Sequence, residues 1–468
     1  MTPRPITSTG KPSTVERLAD WALSIRASDI PRPAIEQAKQ LLLDTIGCGL
    51  AACEQHTARN VLSAVANTGG NPQCTVIGGA AKTSLANAVL ANGLLIRVLD
   101  FNDYVIEPDG SIGGHPSDNI PVALATGEFD NRSGPEVLAA IVIGYELYGR
   151  CKSFLERRSP WDGSSISGII APVMAGWLMR LDRDALSHAI ALSVARTATS
   201  ATVRWGEMSA AKSLANALVA QNGAQAALLA RHGLTGPRAV LDHPRGMQAV
   251  FSKVDAVALT LPLQADSYVM RSNVKAYPCV ATAQAAVSAA LELHKLIGGN
   301  ARALNSIRVV MADTPTVRAH QEDHDRADPK SHEAADHSFP FLIAAALVDG
   351  TFGLAQFQDE RWNNRDVRAV MNCMQMTTDA ELAQRAPGSY PCLLEATAND
   401  GRSYRAEVLY PPGLSRGALA RQPVVGKFHG LTESRVPRTA RDRIIDAVMA
   451  LDESPSLAAL VKALAAAA

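Results

Sequence analysis

Residues 84–99, SLANAVLANGLLIRVL, run directly into DFNDY at 100–104 and, after a short insert, into GGHPSDN at 113–119. The first part has the apolar spacing and the Ala and Leu content of a packed helix. The rest loses that spacing. Its two polar segments hold Asp100, Asn102, Asp103, His115, Ser117, Asp118 and Asn119. Apolar helix resumes at Ile120. Ser117 or Asp118 is expected to cap it, with Pro121 in its first turn and His115 just ahead of its positive end. The unit is therefore helix, polar loop, helix. It recurs at SPWDGSS (159–165) before Ile169 to Leu181, and at RWGEMS (204–209), with Lys212 just beyond, before Ala215 to Leu229.

Working outward, helical spacing marks Val15 to Ala27, Ile35 to Ile46, Pro135 to about Arg150, and Asp184 to Ala198. The second of these opens after Pro31 and Pro33 and is expected to end near Gly47 and Gly49. Gln73 to Gly78 reads as a short β piece. The character changes near Leu263. Ser306 to Ala312, Tyr390 to Thr397 and Tyr404 to Tyr410 read as strands, the last two joined by a hairpin turn at Asn399-Asp400-Gly401. From Glu433 the chain is helical again, with an Ala-rich tail, Leu457 to Ala468, expected to fray. The pattern predicts a mainly α protein: a large all-helical domain over 1–265, an inserted smaller α+β domain over 266–415, and a helical return over 416–468. A cleft between two such domains is a favoured place for a small-molecule site.

The 468 residues are 47% hydrophobic, ample for a large core, and Lys plus Arg equals Asp plus Glu at 45 each. Zero net charge points away from nucleic acid and anionic membrane as partners. No apolar run reaches the length of a membrane span, and the polar N-terminus lacks the layout of a signal peptide, so a cytoplasmic protein is expected. The seven cysteines are scattered without a CxxC pair. That argues against a disulfide framework and against a cysteine-ligated metal. His115 has no histidine four residues away, and DFND lacks the Gly and Glu of a calcium loop, so no metal is expected.

Two carboxylates, Asp100 and Asp103, with His115 nearby could do acid/base work, because burial and repulsion split their pKa values. The same residue types also build turn and capping networks, and spacing leaves both readings open. Arg204 and Lys212 could face one another across their loop, and Lys275 lies in KAYPC at 275–279. Basic groups entering from separate segments suit a substrate with several carboxylates, with surface solvation as the alternative. His337, beside Asp336 at a helix start, could be acid or base or could flank a cap. His320, His324 and His332 alternate with acidic residues and read as solvated surface. There is no Gly-rich phosphate loop and no GxSxG elbow.

The order of these clusters resembles the MmgE/PrpD family, which contains 2-methylcitrate dehydratases, cis-aconitate decarboxylases and an iminodisuccinate epimerase. The resemblance rests on Ala91-Asn92-Gly93, Leu99 to Asp103, His115 to Asn119, Gly144-Tyr145-Glu146, Trp161-Asp162, Arg204 to Ser209 with Lys212, Gly233 to Pro237, Lys275 to Cys279 with Gln284, Asp328-Pro329-Lys330, Ala335 to Ser338, and Asp349-Gly350. It covers nearly the whole chain. It implies a large helical domain with a smaller lid, a homodimer, and no metal or other cofactor.

By motif position, Asp100, His115, Lys212 and Lys275 correspond to the family's polar active-site set, with Asp103 and Tyr104 in the same loop and His337 in the lid. The implied activity is that of a metal-independent lyase on a small polycarboxylate, dehydrating a hydroxy-tricarboxylate. His115 and Asp100 are the expected acid/base pair. Lys212, Lys275 and Arg204 are expected to hold carboxylates, and Asp103, Tyr104 and Asp162 to line the substrate site. Decarboxylation of cis-aconitate, or epimerisation at a carbon α to a carboxylate, uses the same pocket. A catalytically silent polycarboxylate-binding protein is the alternative of another class. It is motivated by Gly163, Val280 and Phe341, which stand where relatives often carry His, His and Tyr.

Overall fold

The computed structural model describes residues 11–79, 81–107, 112–152, 159–247, 254–264, 266–414 and 417–467. The polar N-terminal stretch over residues 1–10 and the expected boundaries at 265 and 415–416 lie outside these residues.

The first segment is built from α1 (Thr14–Ser24), α2 (Arg32–Ala52), α3 (His56–Thr68), α4 (Leu85–Arg97), α5 (Ile120–Phe129), α6 (Gly134–Lys152), α7 (Ser167–Leu178), α8 (Arg183–Val194), α9 (Ala211–Arg231) and the short α10 (Ala256–Leu259). A two-residue hairpin, β1 (Cys74–Thr75) with β2 (Lys82–Thr83), precedes α4. Small residues let these helices approach closely. A Cβ on Gly93 of α4 would lie 2.8 Å from the Cβ of Ala217 of α9, and one on Gly223 would lie 2.5 Å from Ala171 of α7. Through that packing α9 is held against α4 and α7, and its first turn carries Lys212.

α2 does not stop at Gly47 and Gly49 but runs through both to Ala52. The glycines are there for space. A Cβ on Gly47 would come within 3.0 Å of Phe428, and one on Gly49 within 3.1 Å of Ile77. Phe428 belongs to the helical return, α18 (Arg421–Thr432), α19 (Arg438–Met449) and α20 (Ala458–Ala465). The Ala-rich tail is not frayed: Leu457, Leu460 and Leu464 are buried in the same hydrophobic core as α1 and α2.

Among the described residues, the buried members of a second hydrophobic core lie between Cys279 and Val408. It is formed by α11 (Gln284–Leu296), the short helices α12 (Pro315–Glu322), α13 (His324–Ala327) and α14 (His332–Ala335), α15 (Phe339–Asp349), α16 (Arg365–Asn372) and α17 (Ala380–Arg385). These pack with a four-stranded sheet of order β7 (Met374–Asp379), β6 (Leu304–Ala312), β8 (Cys392–Ala398), β9 (Ser403–Val408). The β8–β9 hairpin turns at Gly401, φ +84°, as expected. β7 runs parallel to β6 and has no counterpart in the expectations, because its alternation of Met, Gln and Thr is weak.

A third small sheet joins the two cores. β3 (Tyr104–Ile106) pairs with both β4 (Ile112–Gly114) and β5 (Ser272–Asn273). Val105 packs in the first core, while Ile106 packs against the second. The mainly α class is therefore as expected, with small sheets. Among the described residues no single helix is long and apolar enough to cross a membrane.

The close α4–α9 contact lies one turn before Arg97. Replacing Gly93 by Val should overpack it and destabilise the protein by about 1–3 kcal/mol, read by thermal unfolding.

Candidate active site

α4 ends at Arg97, and Asp100 follows in a left-handed backbone conformation, φ +46°. That conformation costs an ordinary residue about 1–2 kcal/mol, and Asp is among the few types that visit it. It turns the Asp100 carboxylate inward, where it is buried. Burial alone would raise its pKa. Arg97, Lys275 and Lys212 overcome this and hold the carboxyl well below its usual range. Arg97 Nη1 donates to Oδ1. Lys275 Nζ donates to the same oxygen at 2.9 Å and to the Asp100 carbonyl at 2.7 Å.

Lys275 reaches this point because β3 pairs with β5: Tyr104 lies opposite Asn273, two residues before the lysine. The turn after Lys275 is pinned by Gln284, whose side-chain oxygen accepts from the backbone N–H of Ala276 at 2.9 Å and of Tyr277 at 3.1 Å.

His115 sits after Gly114, whose φ of +98° and contact with the Tyr148 hydroxyl leave no room for a side chain. The imidazole Nδ1 lies 2.5 Å from the carbonyl oxygen of Asp103. A carbonyl only accepts, so Nδ1 carries the hydrogen and Nε2 is left as the free base. Nε2 lies 3.9 Å from Asp100 Oδ1. Burial, then Arg97 and Lys275, push the His115 pKa well down, so the ring is neutral.

A second cluster meets the first. Lys212 Nζ donates to both carboxylate oxygens of Asp336, each at 2.7 Å, and lies 3.1 Å from His337 Nδ1. His337 Nδ1 also contacts Asp336 Oδ1 and lies 3.7 Å from Asp100 Oδ2. Lys212 only donates and Asp336 only accepts, so each tautomer of His337 has a partner. Burial opposes the Asp336 charge, but Lys212 and His337 bring its pKa to about 2. Burial, helped by Lys212, lowers His337 to about 4. The loop that carries Asp336 is tied to its surroundings by its carbonyl, which accepts from Val280 N–H at 2.9 Å.

The five expected catalytic residues, Asp100, His115, Lys212, Lys275 and His337, thus meet in one place. Lys275 and Lys212 are 0% and 2% exposed in their side chains, whereas His115 and His337 are 15% and 12% exposed. The imidazoles form the accessible edge, and the ion pairs form the floor. Asp100, Asp336 and His337 bring possible ligand atoms within 4.8 Å of one another, but Arg97, Lys275 and Lys212 already neutralise these carboxylates.

The other expected site residues are placed differently. The Asp103 side chain points inward, accepting from Tyr145 at 2.8 Å and from Ser117 N–H at 3.3 Å. Burial raises its pKa to about 7. Tyr104 is buried in β3, and burial raises its pKa. Arg204 does not face Lys212; its Nε pairs with Asp162 Oδ2 at 2.6 Å. Ser117 and Asp118 do not cap α5. They accept from Asn102 Nδ2, each at 2.9 Å, and brace the loop from within. Phe341 packs edge-on against Phe357 and Trp362 in the second core, so that departure lies in apolar packing.

The MmgE/PrpD N-terminal domain matches residues 16–260, and the MmgE/PrpD C-terminal domain matches residues 277–453. The chain belongs to the MmgE/PrpD family. It is 27% identical to a 2-methylcitrate dehydratase from Cupriavidus necator, over 88% of this chain and 89% of that protein. It is 23% identical to a cis-aconitate decarboxylase from Aspergillus terreus, over 99% and 98%. It is 22% identical to the cis-aconitate decarboxylase of Mus musculus, over 97% and 93%.

Sequence reasoning missed Arg97, which reads as an ordinary basic residue in the last turn of a helix. The only local signal was a charged group three residues before Asp100 in an otherwise apolar run. His320 and His332 are half-buried rather than fully solvated. His320 lies 6.0 Å from the His337 ring and 5.7 Å from Phe339, and His332 lies 4.7 Å from Phe357.

The His337 pKa of about 4 lies below the ordinary 6.5. As pH falls through that window the unfolded chain takes up the proton before the native state does. Native stability from this group is therefore full above 6.5 and declines towards 4. The loss should reach about 2–3 kcal/mol. Urea unfolding at about pH 7 and about pH 4.5 should show a smaller loss for His337→Gln than for the unaltered protein.

Proposed function

We propose that this MmgE/PrpD protein is a metal-independent lyase acting on a small polycarboxylate, dehydrating a hydroxy-tricarboxylate of the 2-methylcitrate type. The observation that carries the reading is the pair of neutral imidazoles at the accessible edge, His115 3.9 Å and His337 3.7 Å from the Asp100 carboxylate. Such an edge suits removal of a proton α to a carboxylate. Relatives named as 2-methylcitrate dehydratases, matched over most of both chains, support the substrate class.

In this proposal His115 Nε2 takes the α-proton. The imidazolium that forms is stabilised by the Asp100 charge 3.9 Å away. Asp100 itself stays ionised, since Arg97 and Lys275 hold it so. It orients and balances the histidines rather than donating a proton. His337 serves the leaving hydroxyl. The Lys212 ammonium, 3.1 Å from His337 Nδ1, is the proton source for that step, so that the hydroxyl leaves as water and the lysine is left as the neutral amine. In the floor the three cations Arg97, Lys275 and Lys212 meet Asp100 and Asp336, and Asp118 lies 3.9 Å from Arg97. Half-buried Arg204 is a further anchor for a substrate carboxylate.

The same proton-handling edge would serve decarboxylation of cis-aconitate, and the relatives named as cis-aconitate decarboxylases support that second reading. A homodimer is part of the proposal, and sedimentation of the purified protein tests it.

The purified protein is incubated in deuterated water with 2-methylcitrate, cis-aconitate and a panel of small di- and tricarboxylates, and followed by NMR. A new alkene from 2-methylcitrate is expected, with His115→Gln and His337→Gln each about 10²–10⁴-fold slower. Released CO2 would replace dehydration by decarboxylation. Tight binding with neither turnover nor proton exchange would overturn the lyase reading.

A further inference from the structure

The turn that carries Asp100 is held by more than the Lys275 hydrogen bonds. The Asp100 carbonyl accepts from Lys275 Nζ at 2.7 Å, and the next carbonyl, that of Phe101, accepts from Lys427 Nζ at 2.7 Å. Lys427 lies in α18, in the helical return, more than three hundred residues away in the chain. Its ammonium also sits 4.1 Å from the centre of the Phe101 ring. Two residues further along, the Asp103 carbonyl holds His115 Nδ1 at 2.5 Å. The carbonyls at 100, 101 and 103 thus receive three side chains from three separate parts of the chain.

Lys427 is itself placed by a counter-charge. Its Nζ lies 2.7 Å from Asp44 Oδ1, in the middle of α2. Asp44 is fully buried. Gly47, one turn on, opens the space in which Phe428 brings α18 down onto α2. Packing of the two helices alone would be served by apolar residues at 44 and 427, and a buried ion pair adds little to stability over such a pair. What apolar residues could not do is donate to the Phe101 carbonyl.

We propose that Lys427 and Asp44 are positioning residues for the acid/base edge: Asp44 fixes the ammonium of Lys427, and Lys427 fixes Phe101 directly after the left-handed Asp100, and with it the Asp103 carbonyl that sets the tautomer of His115. The proposal rests on the lyase reading for its effect on turnover. It does not rest on it for the effect on His115. A displacement of about 1 Å in a reacting group lowers turnover by about 10²-fold, which sets the size of the effect.

The test is the double variant Asp44→Leu/Lys427→Met, which replaces the buried pair by apolar groups and should keep the melting temperature close to that of the unaltered protein. Its kcat on the substrate found above is expected to fall about 10–100-fold with KM changed less than about threefold. In ¹⁵N-histidine spectra, His115 should change from the Nδ1–H form to a mixture of tautomers. Should the double variant fold poorly, Lys427→Met alone serves, because burial already raises the Asp44 pKa and the carboxyl can become neutral. A folded variant with unchanged His115 signals and unchanged kcat would overturn the proposal. If the unaltered protein turns over none of the acids tried, the lyase reading fails, and the His115 spectrum still decides the positioning role.

Discussion

A buried carboxylate must be paired, and most of this site follows from how Asp100 is paired. Left alone in the core, its charge would be removed by protonation. Arg97 comes from the same helix end, but Lys275 comes from the segment that leads into the second core. The Asp100 ion pair therefore requires the two cores to be seated on one another. The β3–β5 pairing and the Lys212–Asp336 bridge make the same demand from other directions. Fold and site are closed by the same contacts.

The electrostatic consequence is a division of labour. In the resting site, carboxylates and ammonium groups neutralise each other in the floor and are charged. The same cations press on the histidines above them, and with burial keep both rings neutral. A neutral imidazole with one nitrogen committed to a backbone carbonyl has the other free as a base, and a carboxylate a few ångströms away stabilises the cation it becomes. The arrangement holds charge in reserve and proton affinity at the edge.

The loop around Asp100 is polar for two reasons that the residue types alone do not separate. Asp100 and His115 face the cluster, whereas Asp103, Asn102, Ser117 and Asp118 hold the loop in shape from behind. Asp162 and Arg204 similarly satisfy each other. The helical return contributes Lys427 to the same loop, so that even the last part of the chain bears on the turn.

Helical periodicity was enough to mark α4 to α9, because each helix buries one face and local spacing records that. The Asn399–Gly401 hairpin was legible because its turn needs a residue that accepts positive φ. The polar stretch at 99–119 stood out by contrast, and the ordered motifs of the family picked out Asp100, His115, Lys212, Lys275 and His337. Local pattern failed where a property depends on a distant partner. Gly47 and Gly49 look like a helix end, and only the approach of Phe428 and Ile77 shows them as contact points. Arg97 looks like a solvated helix terminus, and His320 and His332 look like surface. Burial, ion pairing and tautomer are decided by groups tens to hundreds of residues apart. Spacing along the chain carries no record of which distant charge will arrive, so the residues of the site were readable in the sequence while their pairing was settled only in three dimensions.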